Sequence, residues 1–363
     1  MKITKLEAAY KSIIWGGSKL KSDFGKQTDL SPLAESWELS FHKDGLCRLP
    51  DGSALADVAT EIDLGTNCRG FDFFPVLVKF IDAQDKLSVQ VHPSDDYALK
   101  NENSLGKTEM WYIVDADEGA GIYLGFKEDI TREQFESAIA TKTLTDYLRF
   151  IPVKAGESYF IPSGTIHAIC SGCLICEIQQ NSNITYRVYD YGRRDKDGNE
   201  RELHVEKALA VTNTTAYLPR ELNIQTTEGI LKGINKFFTA TLVEITGEKT
   251  FLRDDGSFRT FTCLSGEGRV GDVDIKKGES VFVPACHDDF VVSGSFSAIM
   301  TTIRRYSHTI TRTDGVTSIN LVDDRGEILA SETVDPTQSD DLIIKIERTL
   351  HRCGLTQDDL VDE

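Results

Sequence analysis

One nonapeptide occurs twice in this chain. Lys154-Ala-Gly-Glu-Ser-Tyr-Phe-Ile-Pro162 returns 122 residues later as Lys276-Lys-Gly-Glu-Ser-Val-Phe-Val-Pro284, and both copies run on to Ser-Gly, at Ser171-Gly172 and Ser293-Gly294. The pattern has a direct physical reading. A tight glycine turn feeds an apolar strand that crosses a core, and proline, which cannot donate to a ladder, ends it. Two copies therefore predict two related β domains, and 363 residues accommodate them at roughly 150 residues per domain.

The rest of the chain keeps the same rhythm. Short Val-, Ile-, Phe- and Tyr-rich runs lie between Gly, Asp and Pro, as in Val76 to Ile81, Leu87 to Val91, Trp111 to Val114, Tyr159 to Ile161 and Ala240 to Ile245; such spacing is that of sandwiches or barrels. Helices are few. Thr131-x-x-Gln134 is a capping-box opening for Thr131 to Ile139, and Val205, Ala208 and Leu209 share helical spacing within Glu202 to Val211. The polar stretch TNTTAYLPRELN, which contains Pro219, separates a first domain, 1–220, from a second, 221–306. The tail, 307–363, reads as strand SINLV, turn Asp323-Asp-Arg-Gly326, strand EILASETV and helix DDLIIKIERTLHRC, an α/β appendage.

Composition narrows the function. Lys and Arg number 40 against 58 Asp and Glu, a net charge of −18, which repels nucleic acid and anionic membranes; a small phosphorylated substrate is still admitted by a local cationic pocket. No apolar run approaches a membrane span and no secretion signal opens the chain, so the cytoplasm is the expected location. Eight Cys are too sparse for a disulfide framework. Cys170-x2-Cys173-x2-Cys176 lacks the fourth cysteine of a cluster run, because Gln180 stands there; these read as small buried strand residues.

Four residues are candidates for a metal site. Gln90 and His92 alternate on one strand and so share a face, ended by Pro93. Gly156-x5-Pro162-x-Gly164-x2-His167 brackets a second histidine, and Glu109 precedes the apolar strand Trp111 to Val114. Two imidazoles, an amide and a carboxylate suit a borderline divalent cation, zinc first, with manganese or iron as competitors. In the second copy Asp289 takes the place of His167 and no Gln-x-His precedes it, so that domain is expected to have lost the metal and His287 to serve packing. Lys107 adds a cation two residues from Glu109, and Arg187, Arg193 and Arg194 add charge after the strand Leu174 to Gln180. Arg187, embedded in Thr-Tyr-Arg-Val-Tyr, is the one expected to meet an oxyanion, and Arg194 the one expected in a surface pair.

Taken in order, Trp15-Gly-Gly17, Glu35-Ser-Trp-Glu38, Leu87-Ser-Val-Gln-Val-His-Pro93, Gly106-Lys-Thr-Glu109, Ile161-Pro-Ser-Gly-Thr-Ile-His-Ala168, Glu177-Ile-Gln-Gln-Asn-Ser and Leu203-His-Val-Glu-Lys-Ala-Leu209 resemble the type I mannose-6-phosphate isomerases in their short bacterial form. The resemblance spans about residues 5–305, and Gly156 to His167 also fits the second cupin motif. It implies a mainly-β fold of two cupin-type double-stranded β-helix (jelly-roll) domains with a few short helices plus the α/β appendage. It also implies one Zn²⁺ per chain held by Gln90, His92, Glu109 and His167, with Arg187 as catalytic arginine and Lys107 as active-site lysine. Similar proteins carry Asp where this chain has Asn183, a change expected to touch rate through the orientation of Arg187.

Aldose–ketose interconversion moves a proton between C1 and C2 through an enediol, whose charge a divalent cation and an arginine stabilise. Glu177, on the strand leading toward Arg187, is the candidate base, with His92 and a metal-bound water as alternatives. Two other classes compete. An iron-dependent cupin oxygenase ordinarily starts its ligand set with His-x-His, and Gln90 stands against it; a non-catalytic phosphosugar-binding cupin needs no intact ligand set. Oligomeric state is not legible from these residues.

Overall fold

The computed structural model describes residues 1–194, 198–219, 221–313, 315–335 and 341–360, and the chain divides into two compact units. The first comprises Leu6–Ala56 and Val76–Glu221; the second comprises Met1–Lys5, Asp57–Pro75 and Leu222–Glu363. Arg220, at the end of the expected first domain, lies outside the described residues. The segments 1–5 and 57–75 carry no boundary signal in the sequence.

The first unit is a mainly-β jelly roll of two antiparallel sheets. Six strands run in the order Ala9–Lys11, Glu35–Leu39, Val76–Ala83, Cys173–Gln180, Glu109–Ala116, Ser158–Ile161, and five in the order Tyr186–Tyr189, Val89–Val91, His167–Ile169, Gly121–Phe126, Leu148–Pro152. The sheets stack without closing into a barrel. Ile81, Trp111, Ile113 and Ile175 from the six-stranded sheet pack with Leu124 and Ile169 from the five-stranded one, which is the inward half of the two-residue alternation. On the outer face of the five-stranded sheet, Val89, Val91, Ala168 and Val188 pack with Phe135 and Ile139 of the helix Arg132–Ala140 and Ala208 of the helix Val205–Val211. Thr131 closes the expected capping box with Gln134. Because Val89 and Val91 are committed to the helices, Ser88, Gln90 and His92 face the other way, into the jelly roll.

The second unit repeats the theme around an eight-stranded sheet whose central strands, Thr239–Phe251, Phe290–Thr302 and Arg259–Val270, are long. Its core gathers Val243, Phe251, Phe261, Val281, Val292 and Met300. The repeated nonapeptide behaves as its sequence suggests: Gly156 and Gly278 both take left-handed turns, at φ 94° and 85°, before the strands Ser158–Ile161 and Ser280–Val283. Asp289 accepts a hydrogen bond from the Arg253 N–H at 2.8 Å, and the His287 ring meets Phe290 edge-on at 5.9 Å. The tail adds a strand not marked by the turn signals, Tyr306–Thr313, ahead of Val316–Asp323 and Ile328–Val334, followed by the helix Asp341–Cys353. Leu321, Leu329, Leu350 and Cys353 of the tail share a core with Leu231 and Ile234, and Arg325 pairs with Glu228 at 2.7 Å. Among the described residues no helix is long and apolar enough to cross a membrane, and all eight cysteines are free.

Glycines at the paired centre of this long sheet give a test of the register. Gly294 (φ 123°) stands opposite both Gly247 and Gly268, and a Cβ on it would lie 2.5 Å from the Gly268 Cα, whereas a Cβ on Gly247 meets nothing within 4 Å. Gly294→Ala should therefore cost about 2–3 kcal/mol of stability and Gly247→Ala about 1 kcal/mol, read from urea midpoints; equal losses would mean that the three glycines do not share a row.

Candidate functional site

Side chains directly opposite on antiparallel strands lie on the same face. His167 pairs with Gln90 across one ladder and Gln90 with Arg187 across the next, so three strands of the five-stranded sheet present His167, Gln90 and Arg187 in one row. From the six-stranded sheet Glu109 opens its strand, opposite Gln179, and Glu177 stands opposite both Trp111 and Lys79. His92, Glu109 and His167 are all buried, and their ligating atoms lie within 4.8 Å of one another.

Each histidine is oriented by its far nitrogen. His92 Nδ1 lies 2.7 Å from the Ile184 carbonyl and His167 Nδ1 2.9 Å from the Thr165 carbonyl. A carbonyl only accepts, so each Nδ1 carries the hydrogen and each Nε2 offers a lone pair to the centre, as metal-ligating imidazoles do. Nε2 of His167 is 3.3 Å from Glu109 Oε1, and Nε2 of His92 is 3.6 Å from Oε2. Three acceptors thus face one another out of water. Neither Glu109 oxygen has a well-directed hydrogen bond; Oε2 has the Lys107 ammonium at an ion-pair distance of 2.7 Å. Gln90 completes the ring, its amide nitrogen 3.4 Å from His167 Nε2 and its Oε1 3.4 Å from Ser88 Oγ; a half-turn of the amide exchanges the two ends and gives the centre an oxygen.

The electrostatics agree with a missing positive charge. Burial drives His92 well below the ordinary histidine range and His167 down to about 4, so both are neutral near pH 7. Burial also raises Glu109, to about 7, against the pull of Lys107. Burial opposes the Lys107 ammonium too, but Glu109 and Glu177 outweigh it and hold it charged. Lys107 Nζ stands 2.7 Å from Glu109 Oε2 and 3.1 Å from His92 Nε2, and a divalent ion bonded to the carboxylate and the two imidazoles would offset the burial that pushes Glu109 up. The donor set fits a metal.

Of the residues expected from sequence, Gln90, His92, Glu109, His167 and Lys107 converge. Arg187 joins through Ser88, whose Oγ accepts from its Nε at 3.2 Å, while Nη1 donates to the Glu202 carbonyl at 3.0 Å. Glu177 is placed differently. Trp111 Nε1 donates to its Oε1 at 3.0 Å and Lys79 Nζ stands 3.3 Å from its Oε2. Burial alone would raise its pKa, but Lys107 and Lys79 hold it as a carboxylate, well below the usual range. Arg194 is in an exposed pair with Glu200 at 2.7 Å. Asn183 does not touch Arg187: its amide donates to Asp44 at 3.3 Å, a bond that a carboxylate at 183 would replace with repulsion. Lys79 and Ser88 escaped the sequence reading. Lys79 is the one charge in the run Val76–Phe80, and a lone charge inside an apolar central strand is the signal that marks it.

With the geometry in hand, comparison with known proteins is informative. Residues 3–119 match the family model for the phosphomannose isomerase type I catalytic domain, and residues 230–303 match that for the mannose-6-phosphate isomerase cupin domain. A probable mannose-6-phosphate isomerase of Bacillus subtilis is 36% identical over 307 residues, 80% of this chain and 96% of its own length. The mannose-6-phosphate isomerase of Streptococcus mutans is 36% identical over 283 residues, 75% of this chain and 89% of its own. The crystal structure of the mannose 6-phosphate isomerase from Bacillus subtilis superposes with a TM-score of 0.75 at 32% identity, covering 83% of this chain and 99% of that one.

The burial of His167 gives a test without substrate. Its imidazole titrates near 6.5 when exposed and at about 4 in the fold. Between those values the unfolded chain holds a proton that the native protein does not, so stability climbs with pH across that window and falls on acidification. In metal-stripped protein His167→Gln should reduce the slope of unfolding free energy against pH between 4.5 and 6 by up to about 1.4 kcal/mol per pH unit. An unchanged slope in urea titrations would show that the native ring carries its proton.

Proposed function

The chain belongs to the type I mannose-6-phosphate isomerase family, and on that premise we propose that it is a cytoplasmic, zinc-dependent aldose–ketose isomerase interconverting mannose 6-phosphate and fructose 6-phosphate through an enediol(ate). The observation that carries the reading is the buried convergence of two imidazole Nε2 atoms on an underbonded carboxylate. His92, Glu109, His167 and Gln90 would hold the ion. Imidazole, carboxylate and amide donors suit Zn²⁺. When bound, such an ion polarises a sugar carbonyl and favours negative charge on the adjacent oxygens.

The remaining steps belong to the protein. Arg187, its Nε fixed by Ser88 and one Nη by a backbone carbonyl, presents the rest of its fork to the anionic substrate and to charge that develops on the enediolate oxygens. Lys107 meets substrate oxygens from the other side. Glu177 moves the proton between C1 and C2. It is ionised at neutral pH because Lys79 and Lys107 hold it so, and it becomes the stronger base as those ammoniums are shared with substrate oxygens. The alternatives fare worse: the relatives are isomerases, and the ligand set opens with Gln90 where the oxygenase pattern has His.

The test is conversion of mannose 6-phosphate to fructose 6-phosphate by protein stripped with a chelator and then resupplied with Zn²⁺. Activity should vanish and return; turnover that survives complete metal removal overturns the reading. Arg187→Ala should lower kcat on the order of 10²–10³-fold, the loss typical of one oxyanion donor, with the metal content unchanged.

A further inference from the structure

The segment from Leu105 to Thr108 delivers Lys107 and, one residue on, Glu109, and its backbone is tied at successive peptides. The Leu105 carbonyl accepts from Ser182 Oγ at 2.9 Å, Gly106 N–H donates to Asp95 Oδ1 at 2.7 Å, and Lys107 N–H donates to the Pro93 carbonyl at 3.0 Å. Thr108 is held on both sides by one residue: its N–H donates to Gln180 Oε1 at 2.8 Å and its carbonyl accepts from the Gln180 N–H at 3.0 Å. Its hydroxyl accepts from Ser163 N–H at 3.2 Å. Gln180 spends its amide nitrogen on Asp95 Oδ1 at 2.8 Å. One carboxylate oxygen therefore gathers the Leu105–Gly106 peptide and the side chain that grips the peptide after Lys107.

These bonds leave no slack. Gln180 is 1% exposed, and a Cβ on Gly106 would lie 2.5 Å from the Asp95 nitrogen, so the two segments meet backbone to backbone. The orientation of the Gln180 amide is set as well, because Oε1 faces a donor and Nε2 faces an acceptor. Thr108 lies between the two functional side chains, so a rotation of its peptide swings the Lys107 ammonium and the Glu109 carboxylate together.

We propose that Gln180 and Asp95 form a positioning clamp, acting through Gly106 and Thr108, that sets where Lys107 and Glu109 stand relative to the Nε2 atoms of His92 and His167. The clamp rests on the roles given to Lys107 and Glu109 above. Neither of its residues touches the centre; both act at one remove, as supports behind ligands do.

The bonding can be broken and rebuilt. Gln180→Glu sets two carboxylates against each other. Adding Asp95→Asn removes the repulsion: with its Nδ2 turned to where Asp95 Oδ1 stood, the amide donates to the new carboxylate, which still accepts from Thr108 N–H, while the bond from Gly106 N–H is given up. Zn²⁺ affinity of the full chain is measured by competition with a chromophoric chelator, alongside kcat and KM for mannose 6-phosphate. Gln180→Glu should weaken Zn²⁺ binding roughly 10–100-fold and lower kcat about 10-fold or more with KM moving less than about 3-fold; the double variant should bind Zn²⁺ about 3-fold or more tighter than Gln180→Glu alone. Affinity within about 2-fold of the parent in Gln180→Glu, or a double variant no tighter than the single one, overturns the clamp. Should Gln180→Glu fail to fold, Asp95→Ala at the half-exposed end carries the test, because it removes the one acceptor shared by Gly106 and Gln180: about 10-fold weaker Zn²⁺ binding supports the clamp and unchanged binding refutes it. Chelator competition needs no turnover, so an inactive parent whose Zn²⁺ binding responds to these changes would refute the isomerase reading and leave the clamp standing.

Discussion

A carboxylate buried between two lone-pair-bearing imidazole nitrogens is the constraint around which the first unit is organised. In a sealed interior that arrangement is unfavourable by itself, since three acceptors face each other with one ammonium nearby. It persists because nothing in it is free to move: backbone carbonyls fix both rings, and the strand that carries Glu109 is paired on both sides. Preorganisation of this kind gives a cation a finished site rather than one it must assemble.

The two sheets divide the labour. The five-stranded sheet contributes the row of His167, Gln90 and Arg187, in which lone-pair donors pass into a guanidinium across three strands. The six-stranded sheet contributes charge, with Glu177 and Lys79 opposite each other on neighbouring strands. An overall charge of −18 does not by itself exclude an anionic sugar phosphate, because the local field, not the sum, governs capture, and the Arg187 guanidinium donates to a hydroxyl and a backbone carbonyl, neither of them charged.

What sequence made legible follows from how local each signal is. Gln90 and His92 were readable because alternation on a strand is a local property, and Gly156 and Pro162 marked the strand leading to His167. Zinc ligation by those residues with Glu109 was also implied by family resemblance. Lys79, Ser88, Gln180 and Asp95 were not readable, because their meaning arises only when segments distant in sequence are brought together: Lys79 meets Glu177 across a ladder, and Gln180 meets Asp95, 85 positions before it. The same limit applies to Asn183. Its partner Asp44 lies in a distant loop, so the loss of a charge looked like a deficit until the neighbouring carboxylate was seen. Residues 57–75 joined the second unit through backbone bonds such as Asn67 N–H to the Gly256 carbonyl at 2.8 Å, which leave no mark in composition.

The two copies differ in what they bury. The strand Cys173–Gln180 of the first copy turns Ile175, Glu177 and Gln179 to one face, whereas the strand Phe290–Thr302, which follows the second Ser-Gly, turns Phe296, Ala298 and Met300 into its core. Replacing a buried charge with a packed aliphatic side chain removes a desolvation cost and adds apolar burial. The second copy fills its interior with Val243, Phe261, Ala298 and Met300. The first copy could not take that exchange at Glu109, Glu177, Lys79 and Lys107 without dismantling the centre. Buried charge retained in one copy and exchanged for hydrocarbon in its sibling is the pattern expected when selection holds a site against the pull of stability.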